Sequence, residues 1–238
     1  MPTPVATLRD DRPFVVYIDL KSPYAFIAID PTRALGEAAG VPIDWRPFTL
    51  DIPSYLGSAS VDRKRRVTKS NRTAEQWTGV RYAYRDARRY ANLTGKTLRG
   101  TEKIWDSSLA GIAMLWSKRQ GAPILDRFLD EAYRLFWQRE LDIEDPIMLE
   151  SLLRTAGADI DGFREYLGGT AEDTDPGRGR VEHDALNERA FDAGVYGVPT
   201  YLVGDEMWFG REHLPRVAWL LDDKSGDPPD VANRSFAQ

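Results

Sequence analysis

The chain has 238 residues, a formal net charge of −5 and a hydrophobic content of 42%, enough for a sizeable core, and nothing in the charge balance invites nucleic acid or an anionic membrane. No apolar run approaches the roughly 20 residues of a bilayer span, and Met1–Arg12 lacks an apolar core of the secretory kind, so a cytoplasmic location is expected. With 0 cysteines, and His183 and His213 in no ligand spacing, disulfides, thiolate metal sites and chemistry by the protein's own thiol are excluded, and no metal is expected.

Residues 1–12 are polar and read as an irregular arm. Phe14–Ile18 is apolar, β-branched and aromatic, the composition of a buried strand. Lys21 and Ser22 break it. Ser22 suits an N-cap and Pro23 the first helical position, where a missing N–H costs nothing. The helix is predicted over Pro23–Ala39, with Tyr24, Ile27, Ala28 and Leu35 as its apolar stripe and Gly40 as its stop. Pro31 lies inside it and predicts a kink or a restart. Val41–Phe48 alternates Val41, Ile43 and Trp45 inward and reads as a second strand, completing a βαβ unit with a parallel pair.

The texture then changes. Leu50–Asp62 reads as an irregular loop, and Arg63-Lys64-Arg65-Arg66 is a basic run followed by Lys69 and Arg72. The run reads as a solvated face, with anion binding as the alternative. Thr73 and Gln76 form a capping box for a helix through Trp77, Val80, Tyr84, Ala87 and Ala91. Further helices follow over Leu109–Lys118, from Pro123 through Phe136, over Pro146–Leu153, over Ile160–Leu167 and over Arg180–Ala193. His183 and His213 read as surface residues. Strand character returns at Thr200–Val203, turns at Gly204-Asp205 and continues over Glu206–Phe209, a hairpin. Arg211–Leu221 closes as a helix, and the last residues, with little that is apolar, read as a flexible tail.

The order is βαβ, a helical block, then ββα. It predicts an α/β thioredoxin-like domain from residues 13–49 and 185–222, split by a helical insertion over 50–184, with a tail at 223–238. βαβ-ββα is the thioredoxin order, and a helical insertion at that place is the DsbA-like elaboration. The active site of such folds lies where the first strand meets the first helix. Here Ser22-Pro23-Tyr24-Ala25 stands there instead of C-x-x-C, so disulfide exchange is excluded. A serine at a helix start can donate to an anion, and the positive end of the helix favours one. The same serine serves equally as a plain N-cap. The second signal is Gly197-Val198-Pro199-Thr200 ahead of the returning strand, the place of the cis-proline in thioredoxin-like proteins. The backbone of Val198 there can pair with an extended peptide as an added strand would.

The S-P-Y after the first strand, the segment Val195–Gly210, and Ser70-Asn71-Arg72 ahead of a helix bearing Tyr82, Asp86 and Arg89 resemble the 2-hydroxychromene-2-carboxylate isomerase family, related to kappa-class glutathione transferases. The resemblance covers about residues 13–222. It implies a homodimer and glutathione as cofactor, with the thiol facing Ser22. It further implies that Val198 and Pro199 hold the cysteinyl backbone, that Asn71 contacts glutathione or substrate, and that Glu212, with Arg211 beside it, binds the γ-glutamyl amine. Tyr24, Lys21, Lys64 and Trp208 are the expected substrate-pocket residues. The implied reaction is cis–trans isomerisation of a small aromatic keto acid. A kappa-like transferase and a non-catalytic DsbA-like binding module are the alternatives. Three departures stand out. Lys21 replaces a small or apolar residue beside the serine, Arg211-Glu212 replaces a short polar residue and Asp, and the lysine that the family offers to the substrate cannot be aligned.

Overall fold

A computed structural model describes residues 13–62, 67–168 and 176–230. The basic run at 63–66, the arm at 1–12 and residues 231–238 lie outside the described residues. The chain divides into two compact units, one of Met1–Phe48 with Leu186–Gln238 and the other of Thr49–Ala185.

The first unit is built on a four-stranded sheet in the order β2-β1-β5-β6, with β1 Phe14–Ile18, β2 Asp44–Pro47, β5 Thr200–Val203 and β6 Glu206–Phe209. β1 pairs parallel with β2 and antiparallel with β5, and β5 pairs antiparallel with β6. Two neighbours and two covered faces account for the sequence of β1, where Phe14, Val15, Val16 and Tyr17 are 0% exposed. Burying each such side chain contributes about 1.5–3 kcal/mol. The register sets Trp45, Val16, Tyr201 and Trp208 side by side on one face, and Arg46, Tyr17, Thr200 and Phe209 on the other.

Helix α1, Pro23–Ala39, packs on the first face, where the Thr32 hydroxyl lies 3.2 Å from that of Tyr201. Gly40 closes it at φ 64°, a left-handed turn whose N–H reaches the Glu37 carbonyl. No restart occurs at Pro31, and the helix runs through it. Pro31 and its neighbour Asp30 are exposed. The proline ring therefore sits on the solvent side, and the one helix bond it cannot make is that to the Ile27 carbonyl. The closing helix is also revised: Arg211–His213 is a 3₁₀ turn and α9 is Leu214–Leu221, with Pro215 in its first turn. Beyond α9 the chain turns back, and the Trp219 indole donates to the Gly226 carbonyl at 3.0 Å.

The second unit is mainly helical. It holds α2 Ile52–Leu56, α3 Ala74–Leu93, α4 Ser108–Lys118, α5 Ala122–Gln138, α6 Pro146–Thr155 and α7 Phe163–Leu167, and α8 Arg178–Asp192 leads back to the sheet. α4 lies against α5, α6 and α7, and Ile112, Phe128, Leu129, Trp137, Leu149 and Phe163 form its centre. The Thr73–Gln76 capping box is present in both directions. The Asp106 side chain accepts from Ser108 N, the first N–H of α4, at 2.9 Å. The stretch Leu50–Asp62, expected to be an irregular loop, carries α2 and β3 Ala59–Val61, which pairs antiparallel with β4 Val67–Ser70. His183 is not on the surface: it is 2% exposed, with Nε2 2.9 Å from the Thr49 hydroxyl and Nδ1 2.8 Å from Asp184 Oδ1. Burial pushes its pKa down.

Candidate active site

The end of β1 and the start of α1 are joined by a tight turn at residues 19–22. The Ser22 N–H donates to the Asp19 carbonyl at 3.0 Å, and the Lys21 N–H to Asp19 Oδ1 at 3.1 Å. Ser22 then caps the helix: its Oγ accepts from Ala25 N at 3.2 Å, and Pro23 occupies the first turn. The oxygen is thereby fixed, while the hydroxyl proton remains to be placed. It points at the Val198 carbonyl across 3.4 Å. That is long for an O–H···O bond, whose usual separation is about 2.7–2.8 Å, so the proton is held weakly. Ser22 is 5% exposed.

Val198 comes from the far end of the sequence. Antiparallel pairing of β5 with β1 brings the turn before β5 to the end of β1, and the Val198–Pro199 peptide is cis. The turn is tied down by the Thr200 hydroxyl, which donates to the Gly197 carbonyl at 2.7 Å. Gly197 is required by close approach: a Cβ there would lie 2.5 Å from the Phe209 ring. On the other side the Gly210 N–H donates to the Pro199 carbonyl at 2.9 Å. This anchors the next residues, Arg211 and Glu212, beside the proline. The Glu212 carboxylate curls back over Gly210, whose φ of 104° and lack of Cβ make the room. Arg211 and Glu212 act in opposite directions on the Tyr201 hydroxyl, whose pKa is pushed up chiefly by burial.

The fold thus brings Ser22, Val198, Pro199, Arg211 and Glu212 to one end of the sheet, with Tyr24 half-buried on the first turn of α1. Lys21 is buried beside Ser22, and its Nζ lies 3.4 Å from Asp19 Oδ2. Trp208 packs under α9, with the Arg216 guanidinium 5.5 Å from its ring centre and the His213 ring at 5.1 Å. Asn71 lies in the second unit, where its side-chain oxygen closes the β3–β4 hairpin by accepting from Ser58 N at 2.6 Å. Lys64 lies outside the described residues.

Two ion pairs near the strand ends were not singled out from sequence. One is Asp19 with Lys21. The other is Asp44 with Arg46 on β2, at 2.7 Å and with side chains 10% and 5% exposed. Arg46 also lies over Tyr17, 6.0 Å from its ring centre. The available signal was an acid two residues before a base at a strand end, a spacing that puts both on one face.

The chain is 25% identical over 207 residues to a 2-hydroxychromene-2-carboxylate isomerase of Sphingobium xenophagum, covering 87% of this chain and 96% of that protein. A solved 2-hydroxychromene-2-carboxylate isomerase structure superposes with a TM-score of 0.61 at 21% identity, covering 90% of this chain and 99% of that one. A Streptomyces coelicolor structure described as a DsbA oxidoreductase gives a TM-score of 0.61 at 18% identity, covering 91% and 92%. The DSBA-like thioredoxin domain matches residues 14–222, and the chain belongs to that family.

Proposed function

We propose that this protein is a glutathione-dependent cis–trans isomerase of the 2-hydroxychromene-2-carboxylate isomerase type, acting on a small aromatic keto acid. The observation that carries the reading is the Ser22 hydroxyl, fixed at the start of α1 by Ala25 N and holding its proton only loosely on Val198. The name of the Sphingobium relative and its near-complete overlap with this chain add support. Disulfide exchange, the activity named for the Streptomyces neighbour, is closed to a chain with 0 cysteines.

The site's own groups suit a cysteinyl peptide. The Val198 carbonyl accepts the peptide N–H in the manner of an added strand. A thiolate is a stronger acceptor than a carbonyl, so the Ser22 proton, only loosely held by Val198, turns to the sulfur. The helix end adds its partial positive charge, and together these draw the thiol from about 8.5 toward neutrality. Glu212 offers a carboxylate to the γ-glutamyl amine. When bound, glutathione supplies a sulfur that adds reversibly to an activated double bond, allowing rotation and elimination. Ser22 acts by electrostatic stabilisation and not as a nucleophile, and orientation of substrate above it supplies the larger part of the rate. By the same likeness the protein works as a homodimer.

The test is to follow the absorbance of a hydroxychromene carboxylate with protein, with and without glutathione. Glutathione-dependent conversion to the trans isomer is expected. Conversion that ignores glutathione, or release of a stable glutathione adduct as a kappa-like transferase would give, overturns the reading.

A further inference from the structure

The turn that presents Ser22 contains a buried charge pair. Asp19 and Lys21 have side chains 0% and 6% exposed, with 3.4 Å between Nζ and Oδ2. Asp19 is also held by the Lys21 N–H, and its own carbonyl by the Ser22 N–H. A buried ion pair is weak support for stability, since well-packed apolar residues in its place are often as good. Its presence beside the anion-binding hydroxyl calls for another account.

Charge balance supplies one. The start of α1 is a positive element facing an anion. A bare carboxylate three residues before Ser22, in a poorly solvated position, would cancel that potential. We propose that Lys21 is a positioning residue of this site: it neutralises the buried Asp19 carboxylate, so that the start of α1 keeps its positive potential toward a ligand thiolate. Asp19 in turn builds the 19–22 turn, so the acid that shapes the site needs the base that silences it. This rests on the glutathione reading above and goes further, because it makes Lys21 act through Asp19 and not by touching substrate.

The test uses the full chain with saturating glutathione, reading thiolate absorbance at neutral pH in wild type, Asp19→Asn, Lys21→Met and the double variant. Lys21→Met removes the Nζ charge that lies 3.4 Å from Asp19 Oδ2, and the bound thiolate-to-thiol ratio should fall about tenfold, the effect of one unit in thiol pKa. Asp19→Asn should raise the ratio. The double variant, neutral at both positions, should return close to wild type, a rescue that a purely structural role would not give. Should Lys21→Met fail to fold, the rise in Asp19→Asn and the return in the double variant carry the test. Glutathione binding by all folded variants with one common ratio overturns this inference alone. No calorimetric binding of glutathione by the wild type overturns it together with the proposed function.

Discussion

Ser22 uses one oxygen for two tasks: it accepts the Ala25 N–H and offers its proton to Val198. The two tasks predict separable effects. Ser22→Ala removes the cap, which costs about 1 kcal/mol of stability, a loss that denaturant unfolding measures. It also removes the hydroxyl proton, and kcat/KM for glutathione-dependent isomerisation should fall at least tenfold, well beyond what so small a stability change produces. The N-cap was legible in the sequence, because Ser-Pro at a helix start is local chemistry. The Val198 carbonyl as the partner of the proton was not, since it lies 176 residues away. The Asp19–Lys21 pairing was not legible. Lys21 read as a strand breaker, and strand breakers are ordinarily exposed.

The elements read most accurately are those with strong local signals. β1, α1 with its glycine stop, the capping box and the final hairpin stand as the sequence predicts. Those that differ were decided by tertiary context. The β3–β4 hairpin has the exposed residues Val67, Thr68, Lys69 and Ser70 on one arm, so it shows no apolar alternation. His183 is buried because Thr49, 134 residues away, bonds its ring. α3 depends on its ends, since only Ala87 and Ala91 are buried along it. Thr73→Ala should therefore cost about 1 kcal/mol, lowering the melting temperature by about 2–4 °C.

His183 makes a pH prediction at the same scale. Burial holds its imidazole below the ordinary value, so the folded protein resists a proton that the unfolded chain takes at about pH 6.5. The unfolded state then binds more protons, and stability rises with pH through that window. Full stability is expected above about pH 6.5, with loss as pH falls below it. In His183→Gln the dependence of melting temperature on pH between about 5 and 7 should flatten, which a calorimetric series measures.

At the scale of the whole molecule, the chain leaves the first unit after Phe48 and returns at Leu186. The sheet is thus assembled from two distant stretches. Among the described residues no helix is long and apolar enough to cross a membrane, and none of the described His, Asp and Glu groups cluster as a metal site. The homodimer that belongs to the proposed function should appear in sedimentation as twice the chain mass; a monomer at all concentrations contradicts that part of it.

The central claim is that Ser22 stabilises the thiolate of bound glutathione. Titrating bound glutathione by thiolate absorbance from acid to alkaline pH, in wild type and Ser22→Ala, tests it most directly. A thiol pKa near neutrality is expected in wild type, moving back toward about 8.5 in the variant. A bound thiol that titrates near 8.5 in both proteins contradicts it.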